Sequence, residues 1–334
     1  MTLKSAVLKA AEAVGLAAFA RRATARQLRI LCYHGLWTTP GYQFGNHLFL
    51  PPELFERRME RLRKSGRPVL GLGEAVELLG ARKLPRGATV ITIDDGWVST
   101  HTHMLPVLEA LELPATLYAT TWYSGRDLPV VNVAAAYLVE ASGRRDLDTA
   151  QMTARIEALP LAQRLPALRE LGAALGLDEA WLEGRQFHIM SPGELAEAER
   201  RGIDVQLHTH RHIEIAEAVD ALPLEIEENR KHLSAALGEK RLIHFCYPSG
   251  STHSRARTIL ARSGIATATL VDQGLNAPGV DPLALRRFLD GRRVSDAEFD
   301  AYLSGTLHLL SMLRAKPRLR RRGPSPNQMV TARC

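Results

Sequence analysis

The fold is decided around residues 89–96, which read TVITIDDG. The first five residues are all β-branched, which predicts a buried strand, and Asp-Asp-Gly then breaks it. A helix is predicted next at 102–112, and a second strand at 115–121. This order of strand, helix and strand predicts parallel strands with active groups at their carboxyl ends.

The same alternation continues in both directions along the chain. Apolar runs predict further strands at 30–33, 203–207, 242–247 and 265–270. Apolar spacing predicts helices at 53–64, 73–82, 221–237 and 296–313. The stretch 132–201 is mostly helical and charged, and we interpret it as an insertion that covers one side of the site. The predicted fold class is therefore α/β, with a helical insertion.

Composition excludes several classes of protein. The 334 residues are 46% apolar and 24% charged, with mean hydropathy −0.12, which is typical of a globular protein. No apolar run approaches the ~18 residues that would span a bilayer, so a channel or transporter is not expected. Three cysteines, Cys32, Cys246 and Cys334, are too few and too far apart for a disulfide scaffold or a Cys-rich zinc site. Their number fits a reducing compartment.

The net charge of +7 is a local feature. Residues 314–334 contain seven Lys and Arg residues and no Asp or Glu, so the rest of the chain is formally neutral. One interpretation is an electrostatic tether to phosphates, which would give peripheral membrane association. The other is a disordered solubilising tail. No specific nucleic acid is expected as a partner, and the sequence leaves the oligomeric state open.

Residues 1–27 are Ala-rich with apolar residues at helical spacing. A signal peptide would place its positive charges before an uninterrupted apolar segment, whereas Lys9 and Glu12 interrupt this one. We therefore expect a helix that packs on the domain or lies at a membrane surface. The expected location is cytoplasmic, at the inner membrane face, and a periplasmic location stays open.

Three segments carry the chemistry, each at or just after the end of a predicted strand. They read TIDDG at 92–96, HTHRH at 208–212 and FCYPSG at 245–250. Each has a plain alternative: Asp-Asp-Gly and Tyr-Pro-Ser-Gly suit turns, and a His-rich pentad suits a solvated loop. Their conjunction favours a common site.

The donor atoms of these segments predict a metal centre. Neighbouring residues of an extended backbone point to opposite sides, so one of Asp94 and Asp95 can bind a metal while the other moves protons. His208 and His212 can converge from one helical face or around a tight loop. One carboxylate and two imidazoles with an open position are a catalytic rather than a structural zinc pattern.

These segments resemble the motifs of the polysaccharide deacetylases, carbohydrate esterase family four, which includes the chitooligosaccharide deacetylases. TIDDG resembles TFDDG, HTHRH matches His-Ser/Thr-x-x-His, and FCYPSG resembles a Phe-Ala-Tyr-Pro-Tyr-Gly variant, in the family's order. The resemblance covers about residues 28–305, between an N-terminal helix (1–27) and a C-terminal segment (306–334) of helix end and basic tail. It implies a distorted (β/α) barrel of seven or eight strands.

The resemblance also implies roles for individual residues. Asp94 would be the general base, and the metal ligands would be Asp95, His208 and His212. Thr209 would support the metal-binding loop, whereas His210 matches no ligand position. The oxyanion and substrate segment would consist of Tyr247, Pro248 and Ser249, with the backbone N–H of Ser249 holding the oxyanion. Ser249 stands where many members have Tyr, which puts side-chain contacts to substrate in doubt but leaves the N–H.

The general acid departs from the usual family pattern. The late Leu-x-His motif is unconvincing, because His308 falls inside a predicted amphipathic helix. LCYH at 31–34 instead resembles the early Tyr-His motif of the family's circularly permuted branch, which includes enzymes that deacetylate poly-N-acetylglucosamine. His34 is therefore the expected acid, and a histidine that caps a strand end is the alternative. Arg286 and Arg287 would orient a carboxylate, bind substrate, or form a plain surface pair.

The resulting hypothesis is a metal-dependent hydrolase that removes N-acetyl groups from a sugar in an exopolysaccharide, another polysaccharide or a glycan precursor. The bond broken is a linear amide C–N bond. Zinc is the expected divalent metal, with cobalt, nickel and manganese as alternatives. Two other functions remain: a non-catalytic metal- and carbohydrate-binding protein on the same scaffold, and a membrane- or nucleic-acid-associated adaptor.

Overall fold

The computed structural model describes residues 8, 15–45 and 48–314. Within these ranges the strands are β1 Arg29–Tyr33, β2 Gly35–Leu36, β3 Phe49–Leu50, β4 Thr89–Ile93, β5 Ala115–Ala119, β6 Ile203–Leu207, β7 His244–Cys246, β8 Thr267–Gln273 and β9 Leu285–Leu289. Seven of them form a closed parallel barrel in the order β1-β4-β5-β6-β7-β8-β9, with β9 paired to β1. The short strands β2 and β3 pair separately. The α/β barrel predicted from the sequence is thus confirmed, with seven strands.

Helices surround the barrel. They are α1 Leu16–Ala23, α2 Pro52–Lys64, α3 Leu72–Gly80, α4 Leu105–Ala110, α5 Val131–Ala141, α6 Thr149–Glu157, α7 Leu161–Ala174, α8 Ala180–Glu183, α9 Pro192–Arg200, α10 Ile215–Ala218, α11 Leu222–Leu237, α12 Ala256–Arg262, α13 Asp296–Ser304 and α14 Thr306–Arg314. A single π-helical turn lies at Thr100–Met104, and single 3₁₀ turns lie at Val219–Ala221, Pro248–Gly250 and Pro282–Ala284. In the part of the chain described here, no helix is both long and apolar enough to cross a bilayer.

The first three strands of the barrel, β1, β4 and β5, are buried on both faces. All five residues of β1, β4 and β5 are buried, which agrees with their apolar or β-branched sequences. In register, Cys32 lies beside Thr92 and Tyr33 beside Ile93. The residues that follow β1 and β4 therefore emerge side by side at the carboxyl end of the barrel.

The segment between β5 and β6 contains the five helices α5–α9. Its aromatic core contacts the small β2-β3 sheet through Trp37, Phe49, Tyr137 and Phe187. Ser191 begins α9 with a capping box, because its side chain and that of Glu194 bind each other's backbone N–H groups. The stretch expected to be a helical insertion is helical in the structure.

Several boundaries predicted from the sequence are wrong. Residues 242–243 lie outside the short strand β7, and β8 extends to Gln273. Strand β9, which closes the barrel, and helix α12 were not predicted. The single helix expected at 296–313 is two helices, because Gly305 adopts a left-handed conformation (φ 84°) where a side chain would collide with Thr24.

The terminal predictions fall partly outside the described residues. Within 1–27, helix α1 packs against α13 and α14 and buries Ala17 and Ala20, so this part of the predicted helix lies on the domain. Residues 1–7 and 9–14 lie outside the described ranges. The basic tail lies outside them as well from residue 315 onwards.

Candidate active site

The catalytic candidates meet at the carboxyl end of the barrel. His34 follows β1, Asp94 and Asp95 follow β4, and His208 follows β6. The backbone N–H of Asp94 donates to the Tyr33 carbonyl at 2.9 Å, which continues the ladder beyond the two strands. Parallel strands therefore bring together residues from distant parts of the chain.

Asp95 faces two imidazoles. Its Oδ1 lies 3.2 Å from His208 Nε2 and 3.5 Å from His212 Nε2, and one donor atom from each residue lies within 4.8 Å of the others. All three side chains are buried. The structure thus brings together the three residues expected to bind a metal.

The hydrogen bonds around this cluster fix how its donors point. His208 Nδ1 lies 2.9 Å from the Cys246 carbonyl oxygen, which can only accept, so Nδ1 carries the hydrogen and Nε2 faces Asp95. Trp97 Nε1 donates to Asp95 Oδ2 at 2.8 Å. Partners that orient the ligands in this way are typical of metal centres, so the residues present fit a divalent cation.

Asp95 is held ionised by these partners. Burial alone would raise the pKa of Asp95, but the hydrogen bond with His208 and the nearby imidazoles of His34 and His212 lower it below the usual range. A carboxylate that stays ionised suits a metal ligand.

The side chains of Asp94 and Asp95 point apart, but not for the reason that the sequence suggested. Alternation along an extended strand does not apply to them, because the backbone of Asp95 is left-handed (φ 72°). Thr209, His212 and Ser249 share this conformation, with φ between 54° and 63°. Non-glycine residues seldom adopt it, and such strain clusters at functional sites.

Asp94 has a separate environment. Arg287, from inside the barrel on β9, donates to both carboxylate oxygens, Nη1 to Oδ1 at 2.6 Å and Nη2 to Oδ2 at 2.7 Å. Burial would raise the pKa of Asp94, but the charge and hydrogen bonds of Arg287 lower it to about 2. Of the arginines discussed from sequence, Arg287 therefore orients a carboxylate, whereas Arg286 is exposed.

Two thiols also contact Asp94. Cys246 Sγ lies 3.3 Å and Cys32 Sγ 3.6 Å from Asp94 Oδ2, and both cysteines are free and buried. Burial raises the pKa of Cys32 well above its usual value, so this thiol keeps its proton. Sequence reasoning missed these contacts, because the LCYH and FCYPSG motifs contain the two cysteines but do not show that both thiols converge on Asp94.

The two histidines considered as the acid lie far apart in the fold. His34 Nε2 is 3.8 Å from Asp94 Oδ2, and among the described residues its buried Nδ1 has no hydrogen-bond partner. His308 lies on α14, where burial and the charges of Arg286 and Arg29 lower its pKa. Arg29 begins β1, so His308 belongs to the amino end of the barrel.

The HTHRH segment is a loop, and α11 positions it. Asn229 Oδ1 accepts from the His208 N–H at 2.9 Å, while Asn229 Nδ2 donates to the Ala119 carbonyl and to Thr121 Oγ1. One turn earlier, the Glu225 carboxylate accepts from the backbone and side chain of Arg211. Sequence reasoning missed this pair, which resembles ordinary polar surface in LEIEENRK.

The remaining members of the predicted site lie in the same loops. His210 turns to Thr121 Oγ1 at 2.8 Å and stacks on His232, apart from Asp95. The Thr209 hydroxyl is buried and, in the described ranges, has no hydrogen-bond partner. After β7, Tyr247 donates to the Leu283 carbonyl at 3.1 Å, and burial raises its pKa to about 12. Pro248 and Ser249 follow it in a single tight turn.

The chain is thus an α/β barrel with carboxylates and imidazoles at its carboxyl end, which is the end where barrels of this kind carry their active sites. The profile of the family described as "Polysaccharide deacetylase" matches residues 81–268, more than half of the chain. The chain therefore belongs to the polysaccharide deacetylase family. Among curated proteins, none matches it.

Solved structures share the fold. The deacetylase PplD of Streptococcus pyogenes, in complex with acetate, is 18% identical with TM-score 0.59, covering 84% of this chain and 99% of that one. IcaB from Ammonifex degensii is 20% identical with TM-score 0.58, covering 83% and 97%. The de-N-acetylase from Aggregatibacter actinomycetemcomitans is 14% identical with TM-score 0.55, covering 83% and 99%. At identities this low, the structural similarity establishes a common fold and nothing more.

Proposed function

We propose that this protein is a metal-dependent deacetylase that hydrolyses the N-acetyl group of an amino sugar in a glycan polymer or glycan precursor. The observation that carries the proposal is the convergence of Asp95, His208 and His212, with donor atoms within 4.8 Å of one another. Water and the acetamide would give the free amine and acetate.

Asp95, His208 and His212 would hold the divalent cation. Zinc is the first expectation, because it accepts imidazole and carboxylate ligands and keeps an open position in catalytic sites with three protein ligands. When bound, the cation would polarise the acetyl carbonyl and make a water acidic enough to attack near neutral pH.

Asp94 would accept the proton of the attacking water. Arg287 keeps the Asp94 carboxylate ionised and fixes its plane through two hydrogen bonds. A carboxylate with so low a pKa is a weak base, so the transfer depends on proximity and on the acidity of the water. The backbone N–H of Ser249 would donate to the developing oxyanion.

Protonated His34 would give its proton to the leaving amine nitrogen. Its position beside Asp94 supports this role, and so does its buried Nδ1, which has no hydrogen-bond partner among the described residues. We propose this role together with the circularly permuted arrangement, since both rest on the resemblance of LCYH to the early Tyr-His motif of that branch.

The test is acetate release from N-acetylglucosamine oligomers together with the metal content of the purified protein. We expect Asp95→Ala and His212→Ala to lose both metal and activity. We expect Asp94→Asn and His34→Gln to keep the metal and lose activity by a factor of about 100 or more. The exposed His103 provides a matched control, since His103→Gln should change neither quantity.

Normal turnover by Asp94→Asn would disprove its role as the base. A wild-type protein that holds metal but releases no acetate from any N-acetylated glycan would favour the non-catalytic carbohydrate-binding alternative. A wild-type protein that holds no metal would refute the proposal.

A further inference from the structure

A cavity lies at the opposite end of the barrel from Asp95. It has a volume of about 350 Å³ and lies between α1, the end of α2, and the junction of α13 with α14. The charged side chains of its lining are Arg21, Arg61, Lys64, Arg67 and Asp300. Leu8, Ala17 and Leu303 add apolar surface. The cavity is therefore strongly basic with an apolar wall.

Only part of this positive charge is compensated. Arg61 pairs with Asp300, and Lys64 pairs with Glu60 outside the lining. Among the described residues, no carboxylate forms an ion pair with Arg21 or Arg67, although the charge of Asp300, which pairs with Arg61, also acts on Arg67. Burial and the charge of Arg21 lower the pKa of Arg67, as expected for two like charges held close together.

A further guanidinium lies beneath the cavity. Arg29 is buried and donates to the carbonyl oxygens of Leu303, Thr24 and Gln27 rather than to a carboxylate. Burial and the charge of Arg67 lower the pKa of Arg29 to about 10. The cavity thus has an excess of fixed positive charge that an anion would neutralise.

The helices that frame the cavity expose large apolar side chains. Phe19 on α1 is 62% exposed, and Met312 and Leu313 on α14 are 62% and 80% exposed. These three are among only seven large apolar residues exposed in the described part of the chain, and α1 and α14 pack against each other. Exposed apolar residues beside basic ones are typical of a surface that binds a membrane interface.

We propose that this end of the barrel docks on a bilayer of anionic phospholipid. A headgroup phosphate enters the cavity between Arg21 and Arg67, and Phe19, Met312 and Leu313 enter the interface. The apolar residues favour a bilayer over a nucleic acid, which would use the basic groups alone. The docking surface consists of described residues and does not require the basic tail.

This orientation has a consequence for the proposed deacetylase function. The catalytic end faces away from the bilayer, and a five-residue strand alone spans about 16 Å. The sugars within reach are therefore those on a glycan that extends from the membrane, and not a sugar directly attached to a lipid headgroup.

The test is co-sedimentation of the full chain with vesicles of phosphatidylcholine, with and without phosphatidylglycerol. We expect binding only to the anionic vesicles, and on the order of tenfold or more weaker binding for Arg21→Gln/Arg67→Gln. A second cavity variant, Arg21→Gln/Lys64→Gln, changes two exposed residues and should therefore fold normally; its binding to anionic vesicles should also weaken. The control is Arg155→Gln/Arg200→Gln, which removes the same charge from exposed positions outside the cavity.

Phe19→Ser/Leu313→Ser should also weaken binding, and thermal unfolding confirms that each variant is folded. Three results would overturn the proposal: an equal loss of vesicle binding in the cavity and control variants, equal binding of the wild type to neutral and anionic vesicles, or no binding of the wild type to either. Tighter, cavity-dependent binding to a short RNA duplex would assign the surface to nucleic acid instead. Acetate release should be unchanged in these variants, so docking and deacetylation are tested separately.

Discussion

The two sides of the candidate active site begin from neighbouring residues, Asp94 and Asp95, but are held by different chemistry. On the arginine side, Arg287 binds both carboxylate oxygens of Asp94. On the imidazole side, Asp95 faces His208 and His212, and the Cys246 carbonyl fixes the ring of His208 through its Nδ1. The comparison shows that partners contributed by distant segments of the chain give two adjacent aspartates different environments.

The largest effect should come from breaking the arginine side. Arg287→Met leaves Asp94 buried without its counter-charge, which should lower the free energy of unfolding by about 3–5 kcal/mol. Denaturant titration measures this loss. The variant should still bind metal if folded, because the imidazole side does not use Arg287.

The double variant Arg287→Met/Asp94→Asn is the control for this prediction. Removing both charges should recover much of the lost stability, because no uncompensated charge remains. A loss below about 1 kcal/mol in Arg287→Met would mean that the pair contributes little to the fold.

The imidazole side is best weakened through α11. Asn229→Ala removes the hydrogen bonds that join His208, Ala119 and Thr121, so the ligand loop should loosen. We expect metal affinity to fall by about 10- to 100-fold, as for other residues that position ligands. Metal titration monitored by calorimetry measures it, and Lys231→Ala, an exposed position on the same helix, should have no effect.

The third prediction concerns pH. Above pH 5, Asp94 should not make the free energy of unfolding depend on pH. Its carboxyl group is ionised there both in the folded protein, where its pKa is about 2, and in the unfolded chain. His188 differs: burial and the charge of Arg185 lower its pKa to about 4. Between that value and the ordinary 6.5, the unfolded chain binds more protons, so stability falls as the pH falls.

His188 should therefore account for a loss of about 1.5 kcal/mol between pH 6.5 and pH 5. Unfolding free energies measured at several pH values should show the same slope in the wild type and in Asp94→Asn. In His188→Gln the loss should be smaller by this amount but not absent, because burial also lowers the pKa of His210 to about 4. An unchanged slope in His188→Gln would show that another group titrates.

The sequence predicted the imidazole side better than the arginine side for a physical reason. Asp95, His208 and His212 lie in short motifs directly after strands, where local pattern and strand order determine their positions. Arg287 lies in β9, whose LRRFL has two charged residues where a barrel strand usually has apolar ones. The segment can be recognised as a barrel strand only when Asp94 is known to accept hydrogen bonds from the guanidinium of Arg287.

The same limit applies to the helices and loops around the site. Long periodic helices such as α2 and α11 were predicted within a few residues, because their apolar spacing is local. The break at Gly305 depends on Thr24, and the roles of Glu225 and Asn229 depend on a loop near residue 210. Contacts between distant segments of this kind leave no periodic signal.

The smallest effect should come from Cys246, the thiol that contacts both Asp94 and Arg287 on the arginine side. Cys246 Sγ lies 3.3 Å from Asp94 Oδ2 and 3.1 Å from Arg287 Nη2, and the family variant that FCYPSG resembles has alanine at this position. A thiol is a weak donor, so Cys246→Ala should cost less than about 1 kcal/mol and reduce turnover only a few-fold. Cys246→Ser restores a donor of similar size, so comparing the two variants by acetate release separates the hydrogen bond from the lost volume. If Cys246→Ala were as damaging as Arg287→Met, the thiol would share in holding Asp94, and the guanidinium alone would not explain how the two neighbouring carboxylates are kept apart.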